Sequence, residues 1–434
     1  MSVGGGDRFV ALGIRIRGAG LERALPLLEP QRGFCAARIL NMPRTALHLL
    51  PNYEVGGEQA VLFRILEAMG DESFRHVVVG VFAGPQDYRA HFDRIGAVTY
   101  DINICRSPIS RPFSFVRDCR SIVGQLMEIA RREDARIVHG RTHDNDLLSM
   151  LLGRRLGIPS VATHAGARLY PDNRTGPSLR RLGRTALLRY TTRRLDALIA
   201  VGPDVRDNLV QIARADPGRV HVVRNGIDRA GSTPRGDRRA CREALGLPVD
   251  RSLLLVVGRL IPAKGVDTLI EAFAMLEEEP HHPTLLVVGE GPELETLTAL
   301  ARDLPEARVR FLGLRDDVPA LLAASDGYLS ASHSEGTSIA LMEGMARALP
   351  CVVSDAPGLR DMVRDGENGR LFALRDPRDC ARVILETLAE PDVADEMGRV
   401  AQAEVRREFS MDTLVEMHAG LYRELIQKFE GRAR

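Results

Sequence analysis

Short runs of Val, Leu and Ile alternate with longer amphipathic stretches along most of the chain. Parallel strands are buried on both faces and are joined by helices, so this alternation predicts parallel sheets covered by helices. In the first half the predicted strands are residues 46–50, 77–82, 136–139, 160–163, 197–201 and 220–223. In the second half they are residues 253–257, 285–288, 309–312, 327–330 and 350–353. The predicted fold class is α/β, with two Rossmann-like, doubly wound parallel-sheet domains that face a central cleft.

The chain is long enough for two such domains. At 434 residues it exceeds one ordinary core and suits two domains of roughly 200 residues each. Residues 227–247 are rich in Gly, Arg, Asp and Pro, which places the linker near residues 225–239. Residues 1–43 are predicted to form an N-terminal extension of unknown role. The first domain is predicted over residues 44–225 and the second over residues 226–410. A final helix, at about residues 411–430, is predicted to pack back on the first domain.

Composition excludes several classes of protein. The 59 basic and 58 acidic side chains leave a net charge of +1, so no global field favours nucleic acid. No apolar run approaches the roughly 20 residues that span a bilayer. The first six residues lack the basic and apolar segments of a signal peptide, so we expect a cytoplasmic protein. Six cysteines occur without a C-x-x-C pair, so we expect no zinc site and no disulfides, but reduced and mostly buried thiols.

Only two of the 59 basic residues, Lys264 and Lys428, are lysines. Lys264 closes the segment that starts with Gly258 and Arg259, directly after a predicted strand and before a predicted helix. Ligands of open α/β sheets bind at the carboxyl ends of the strands. An arginine fork and a lysine point charge five residues apart can converge there on one diphosphate. The alternative is a pair of solvated surface charges.

A second glycine-containing turn follows the first predicted strand. Gly56 and Gly57 precede the helical run at residues 59–69 and would let backbone N–H groups approach a phosphate. The segment is not a complete G-x-G-x-x-G motif, and such a pair is often only a turn.

Two glutamates, Glu335 and Glu343, are separated by seven residues. In a continuous helix their backbones would lie roughly 12 Å apart along the axis. The carboxylates of a retaining glycosidase are only about 5 Å apart, so these two are not expected to act as a nucleophile and acid pair. We expect Glu335 at a helix mouth and Glu343 two turns into that helix, facing the cleft.

Together these segments resemble the retaining glycosyltransferases of family 4, which have the GT-B architecture. The resemblance runs from about residue 225 to residue 372. Its segments are VVRNGID, VVGRLIPAKGVDTLIEAFA, LLVVGEGPE, VRFLGLRDDVPALLAASDGYLSASHSEGTSIALMEGMA and DGENGRLF. It is fainter in the first half, where it rests on VGGEQ, ARIVHGRTHD, IPSVATHAG and DALIAVGPDV.

The resemblance implies a role for each matching residue. Arg259 and Lys264 would bind the diphosphate of a nucleotide sugar and stabilise its charge as it leaves, and Gly258 would lie beside it. Glu335 would contact hydroxyls of the transferred sugar, and Glu343 the ribose hydroxyls. The backbone of Gly336, Thr337 and Ser338 would face the sugar or phosphate. Gly313 and Leu314 would lie beside the nucleobase. Gly56 and Gly57 would complete the binding site of the phosphates.

One site departs from the family pattern. Members often carry two histidines one residue apart after the fourth or fifth strand, but here Arg141 stands in the second place and His143 follows two residues later. Either His143 substitutes from a longer loop, or Arg141 has changed the pocket and the acceptor. His164, at the end of the next strand, is a further candidate for the acceptor or sugar pocket. A histidine at a strand end is also often structural.

Two charged segments each allow two interpretations. Asp144 and Asp146 spell D-x-D, a metal-binding signature of the other main glycosyltransferase architecture, but they open a helical run where acidic residues serve as caps, and we expect no metal. Residues 174–194 hold seven arginines and no acidic residue. This segment is either a contact with an anionic membrane surface or a helix whose charges are simply solvated.

The sequence therefore predicts a metal-independent, retaining hexosyltransferase without a cofactor. It would transfer a sugar from a nucleotide-diphosphate donor to a glycan or lipid-linked glycan, peripherally at the inner face of the membrane. The alternatives are an epimerase of the same architecture that remodels its nucleotide sugar, and an inactive nucleotide-sugar-binding scaffold.

Overall fold

The computed structural model describes residues 43–54, 57–104, 112–165, 179–227, 237–276, 283–305 and 308–432. These residues form two parallel sheets. The strands of the first sheet are β1 (Arg44–Leu50), β2 (Phe74–Phe82), β3 (Val98–Ile104), β4 (Ala135–Gly140), β5 (Ser160–His164), β6 (Ala197–Ala200) and β7 (Val220–Val222). Those of the second are β8 (Leu253–Val257), β9 (Thr284–Val288), β10 (Val309–Gly313), β11 (Gly327–Ser330), β12 (Cys351–Ser354) and β13 (Arg370–Phe372).

Helices connect the strands and cover both faces of each sheet. Those on the first sheet are α1 (Gly57–Ser73), α2 (Arg89–Arg94), α3 (Pro112–Arg132), α4 (His143–Leu156), α5 (Leu179–Thr192) and α6 (Pro203–Gln211). Those after it are α7 (Arg238–Leu245), α8 (Val266–Ala274), α9 (Leu294–Leu300), α10 (Val318–Ala324), α11 (Ile339–Ala346), α12 (Pro377–Ala389), α13 (Pro391–Glu408) and α14 (Met411–Arg432).

Both sheets have the doubly wound topology. The strand order is β3-β2-β1-β4-β5-β6-β7 in the first and β10-β9-β8-β11-β12-β13 in the second. The order reverses between β1 and β4 in one sheet and between β8 and β11 in the other. Ligands of such sheets bind in the crevice outside the strands' carboxyl ends at this reversal. The α/β, two-sheet prediction is therefore confirmed, and each sheet has one preferred place for a ligand.

All eleven predicted strands are present, but two further strands were missed. In β3 apolar Val98, Tyr100 and Ile102 alternate with polar residues, and the strand lies at a sheet edge with every residue at least partly exposed. A search for continuous apolar runs overlooks such a half-buried strand. The other missed strand, β13, has only three residues.

The chain crosses between the two sheets at two adjacent places. Ile227 pairs with Ser410 in an isolated bridge, and its backbone N–H donates to the carbonyl of Phe409 at 2.9 Å. Helix α14 follows directly and packs on the first sheet, where Leu414, Tyr422 and Leu425 share a core with residues of β1 and α1. The last helix thus belongs to the core of the first half, and residues 228–236 of the predicted linker lie outside the described residues.

Four of the six cysteines are described, and all four are free thiols. Cys351 and Cys380 are buried, as expected, whereas Cys119 and Cys241 are only partly buried. None of the described helices is both long enough and apolar enough to cross a bilayer. The predicted extension over residues 1–43 lies outside the described residues except for its last member.

Candidate active site

Lys264 and Glu335 form an ion pair at the point where the strand order of the second sheet reverses. The Lys264 Nζ atom lies 2.5 Å from Glu335 Oε1, and both side chains are largely buried. Lys264 follows β8 and Glu335 follows β11, so neighbouring strands bring together residues 71 positions apart. Lys264 ends a single 3-10 turn (Pro262–Lys264), and α8 begins two residues later at Val266.

The loop that carries Glu335 is fixed by short polar contacts. Ser332 donates its hydroxyl to Glu335 Oε1 at 2.6 Å, and the backbone N–H of Glu335 donates to the carbonyl of Pro357 at 2.9 Å. Gly265 has a positive φ of 62°, and a Cβ there would overlap the carbonyl oxygen of Ala331. Glycine at this position therefore lets the lysine-bearing segment pack directly on the glutamate-bearing loop.

The same loop contacts the first sheet across the cleft. A Cβ on Gly336 would overlap the carbonyl oxygen of Ala165, the residue after β5, so only glycine permits this approach. Thr337 donates its hydroxyl to the carbonyl of Val201, the residue after β6. Ser338 is buried and serves as the N-cap residue of α11. Residues 336–338 thus close one side of the cleft.

Glu343 lies on α11, in the second turn, and faces the first half of the chain. Its carboxylate is 3.5 Å from Arg64 Nη2 on α1, and 27% of its side chain is exposed. Burial raises the pKa of Glu343, and the nearby Arg64 guanidinium opposes that rise. Because Glu335 pairs with Lys264 and Glu343 with Arg64, the two glutamates have different partners and environments.

The remaining predicted donor residues lie along the same edge of the second sheet or across from it. Arg259 is exposed directly after Gly258, which lines a cavity with Lys264 and Glu335. Gly313 ends β10 with a positive φ of 66°, and 71% of Leu314 beside it is exposed. Across the cleft, Gly57 is the first residue of α1. Gly56 lies outside the described residues.

His143, Asp146 and His164 form a cluster at the carboxyl edge of the first sheet. Asp146 Oδ2 lies 3.5 Å from His164 Nε2 and 3.7 Å from His143 Nδ1. Asp146 and His164 are buried, and the polar atoms of their side chains have no hydrogen-bond partner among the described residues, whereas 45% of the His143 side chain is exposed. Burial lowers the pKa of His164 to about 4, against the attraction of Asp146.

The capping role proposed for the D-x-D segment is wrong for Asp146. The N-cap residue of α4 is Thr142, and the Asn145 side chain donates to the carbonyl of Leu49 at 3.0 Å. Asp146 points inward between two histidines because its carboxylate is carried on the buried face of α4. The three possible ligand atoms lie within 4.8 Å of one another, so within the described ranges this cluster is the group that could hold a metal ion. The side chain of Asp144 is outside them.

Arg141 follows β4 and is buried beside several histidines. Its backbone N–H donates to the carbonyl of Leu49 at the end of β1, at 3.2 Å. Burial lowers the pKa of Arg141, and the Arg141 charge in turn contributes to the low pKa of buried His48, His139 and His418. Arg141 therefore lies at the carboxyl ends of β1 and β4, and its charge acts on the buried histidines of the first half and not on the Lys264–Glu335 pair.

The arginine-rich segment forms α5 where it is described. Leu188 and Thr192 are buried against the first half of the chain, and Arg184 and Arg189 are exposed. Arg189 Nε donates to the carbonyl of Ile212 at 3.0 Å. Arg174 and the side chains of Arg180 and Arg181 lie outside the described residues.

Comparison with known proteins gives the family. The model of Glycosyltransferase Family 4 matches residues 55–230, and that of Glycosyl transferases group 1 matches residues 237–404. The first match covers the first sheet except β1, and the second match covers the second sheet. The chain belongs to glycosyltransferase family 4. The chain is similar to D-inositol 3-phosphate glycosyltransferases.

Two of these relatives show the extent of the similarity. The protein of Mycolicibacterium paratuberculosis is 29% identical over 427 residues, which are 93% of this chain and 89% of the relative. The protein of Frankia alni is 33% identical over 288 residues, which are 61% of this chain and 70% of the relative. The similarity to family 4 thus extends over both halves of the chain.

A solved structure supports the GT-B fold. Anabaena HepE in complex with UDP and glucose superposes with a TM-score of 0.74 and covers 88% of this chain and 100% of its own, at 20% sequence identity. At that identity the likeness shows the fold alone. For this family 4 chain it supports the arrangement of two Rossmann-like domains around a cleft.

Sequence reasoning missed several residues of the family 4 cleft. Arg64 pairs with Glu343, and Ser332 donates to Glu335. Asp204 on α6 accepts from the backbone N–H of Gly358 at 3.0 Å and so links the two halves. Ser332 lies three residues before Glu335 and could have been considered. Arg64 and Asp204 meet partners more than 150 positions away, and nothing in the local sequence indicates such contacts.

Proposed function

We propose that this glycosyltransferase is a metal-independent, retaining hexosyltransferase that uses a nucleotide-diphosphate sugar and acts on a glycan or lipid-linked glycan. The observation that carries the proposal is the Lys264–Glu335 ion pair at the strand-order reversal of the second sheet. It puts a cation suited to a phosphate next to a carboxylate suited to sugar hydroxyls.

The diphosphate would take its charge compensation from protein cations. Lys264 lies in the crevice, and exposed Arg259 follows the same strand. Cations held in place before the reaction stabilise the charge that develops on the leaving diphosphate without a bound metal. Lys264 would exchange part of its contact with Glu335 for a phosphate oxygen when the donor enters. The UDP and glucose bound to Anabaena HepE support a donor of this class.

Glu335 is suited to hold the sugar and not to attack it. Its Oε1 atom already accepts hydrogen bonds from Lys264 and Ser332, which lowers the nucleophilicity of that oxygen. The other glutamate of the motif pairs with Arg64 on another helix. We therefore propose retention without a covalent intermediate on either glutamate. The bond from the anomeric carbon to the phosphate oxygen breaks, the acceptor oxygen bonds to the same face, and the acceptor's proton leaves with the nucleotide diphosphate.

The acceptor side would be formed by the first domain. His143, His164 and Arg141 follow β4 and β5, and Ala165 contacts Gly336 beside Glu335. A lipid-linked acceptor would come to the cleft from a membrane surface, and the exposed arginines of α5 suit an anionic surface. This part of the proposal is tested separately by vesicle binding.

The test is hydrolysis of a panel of nucleotide-diphosphate sugars without acceptor, followed by proton NMR of the released sugar. The proposal expects slow release of free sugar that first appears with the donor's anomeric configuration. An epimerase would instead yield an altered sugar or nucleotide sugar, and an inactive scaffold would release nothing. Inverted sugar, or no release from any donor, contradicts the proposed activity.

A further inference from the structure

Arg141 occupies in the first sheet the place that the Lys264–Glu335 pair occupies in the second. It follows β4, and its backbone N–H bonds to Leu49 of β1, so it lies between the two strands where the order reverses. That crevice is where doubly wound sheets bind ligands. The residue is thus placed at a ligand position of the domain opposite the proposed donor site.

Among the described residues, the guanidinium of Arg141 is buried without a counterion. The residue is 4% exposed, and its Nε and Nη1 atoms have no hydrogen-bond partner among the described residues. Glu58 on α1 attracts its charge through space, but within the described ranges no carboxylate lies at ion-pair distance from it. Arginine keeps its proton in proteins, so the positive charge remains. A buried ion without a partner costs several kcal/mol of stability.

The histidines around Arg141 do not compensate for this charge. Burial lowers the pKa of His418 to about 4 and puts the pKa of His48 and of His139 well below the usual 6.5. All three are therefore neutral near pH 7. Within the described part of the chain, Arg141 is thus a buried cation with unused donors beside neutral histidine rings.

We propose that Arg141 binds an anionic group, a phosphate or a carboxylate, on the acceptor. The fork of a guanidinium matches either group with two parallel hydrogen bonds, which would offset the cost of burying the charge. The donor's diphosphate is assigned to Arg259 and Lys264 on the other domain, so this anion belongs to the second substrate. The inference rests on the proposed transferase activity and specifies its acceptor.

The first test measures anion binding by the full chain saturated with UDP. Inorganic phosphate and succinate are titrated separately into the parent, Arg141→Gln and Arg136→Gln, because the two probes distinguish a phosphate from a carboxylate site. Arg136 is a matched control on β4, exposed and paired with Asp134. The proposal expects the parent and Arg136→Gln to bind at least one anion, and Arg141→Gln to bind it at least tenfold more weakly. Equal binding by all three, or no binding by the parent, overturns it.

The second test separates a binding role from a structural one. Replacing an unpaired buried charge with an apolar side chain of similar length, as in Arg141→Met, should raise the midpoint of thermal unfolding by a few degrees. The bound anion should raise the midpoint of the parent and not that of the variant. A lower midpoint for Arg141→Met, with an unchanged anion shift, would make Arg141 a structural residue. Donor hydrolysis by the parent is recorded alongside, so a failure of the activity itself is recognised independently.

Discussion

Replacing Lys264 with arginine tests whether the shape of this cation matters and not only its charge. Lys264 Nζ reaches Glu335 Oε1 at 2.5 Å with its stem beside Gly258, in a cavity also lined by Ser332 and Ser338. A planar guanidinium is wider than an ammonium and would displace Glu335 or crowd a phosphate already bound by Arg259. We expect kcat/KM of Lys264→Arg to fall at least roughly tenfold, which is about 1.4 kcal/mol of transition-state stabilisation.

The assay is the release of nucleotide diphosphate at several donor concentrations, and Lys428→Arg is the control. Lys428 is the other lysine of the chain and is exposed on α14, so its replacement should leave kcat/KM unchanged. Lys264→Ala should be more severe than Lys264→Arg because Glu335 then loses its ion-pair partner. A Lys264→Arg variant as active as the parent would refute the argument from shape and leave only charge.

Four further predictions follow from the same contacts. Glu335→Ala should lower kcat at least roughly 100-fold, which is about 2.7 kcal/mol of activation free energy, because a contact to the sugar is lost. The circular dichroism spectrum should stay normal because no core contact is lost, and near-normal turnover would contradict the assignment of Glu335 to the sugar site. Activity should survive EDTA because Arg259 and Lys264 supply the positive charge; its loss, with recovery in Mn²⁺, would instead point to the cluster of His143, Asp146 and His164. Replacing Arg180, Arg181 and Arg184 with Gln should release the protein from anionic vesicles, with a loss of about 1 kcal/mol of binding free energy per charge. The same change at exposed Arg302, Arg378 and Arg399 should not release it, and equal release by both triple variants would leave α5 as a solvated helix. Burial lowers the pKa of four fully buried histidines, that of His164 and His418 to about 4, so the unfolded chain binds more protons below pH 6.5 and stability should fall on acidification. For His164 and His418 the loss should be about 2 kcal/mol each at pH 5, and unfolding midpoints that do not change between pH 7 and 5 would contradict the neutral, buried state of these rings.

Much of the fold follows from local sequence. Continuous apolar runs mark strands such as β8 and β9, because a parallel strand buried on both faces needs apolar residues throughout. The same rule fails at β3, whose alternating residues fit a sheet edge. Residues after the strands were found because the loops that carry chemistry come directly after each apolar run, as Lys264 and Glu335 do.

The partners of these residues could not be predicted. The Arg64–Glu343 contact joins helices of different halves, and Thr337 meets the carbonyl of Val201, 136 positions away. Asp146 shows the limit most clearly, since its sequence neighbours suggest a helix cap or a metal ligand. In the fold it lies between two histidines, one of them on the next strand. Which side chains share a crevice depends on strand order, and strand order is not encoded near any one of them.

The central claim is that Lys264 helps to bind a nucleotide-diphosphate sugar at the strand-order reversal of the second sheet. The most direct measurement is the thermal unfolding midpoint of the parent, Lys264→Ala and Lys428→Ala with a panel of nucleotide-diphosphate sugars at equal concentration. Ligand that binds only the folded state raises the midpoint. We predict that at least one donor raises the midpoint of the parent and of Lys428→Ala by the same few degrees, and that of Lys264→Ala by much less. If no donor shifts the parent, or if one donor shifts all three proteins equally, the claim is contradicted.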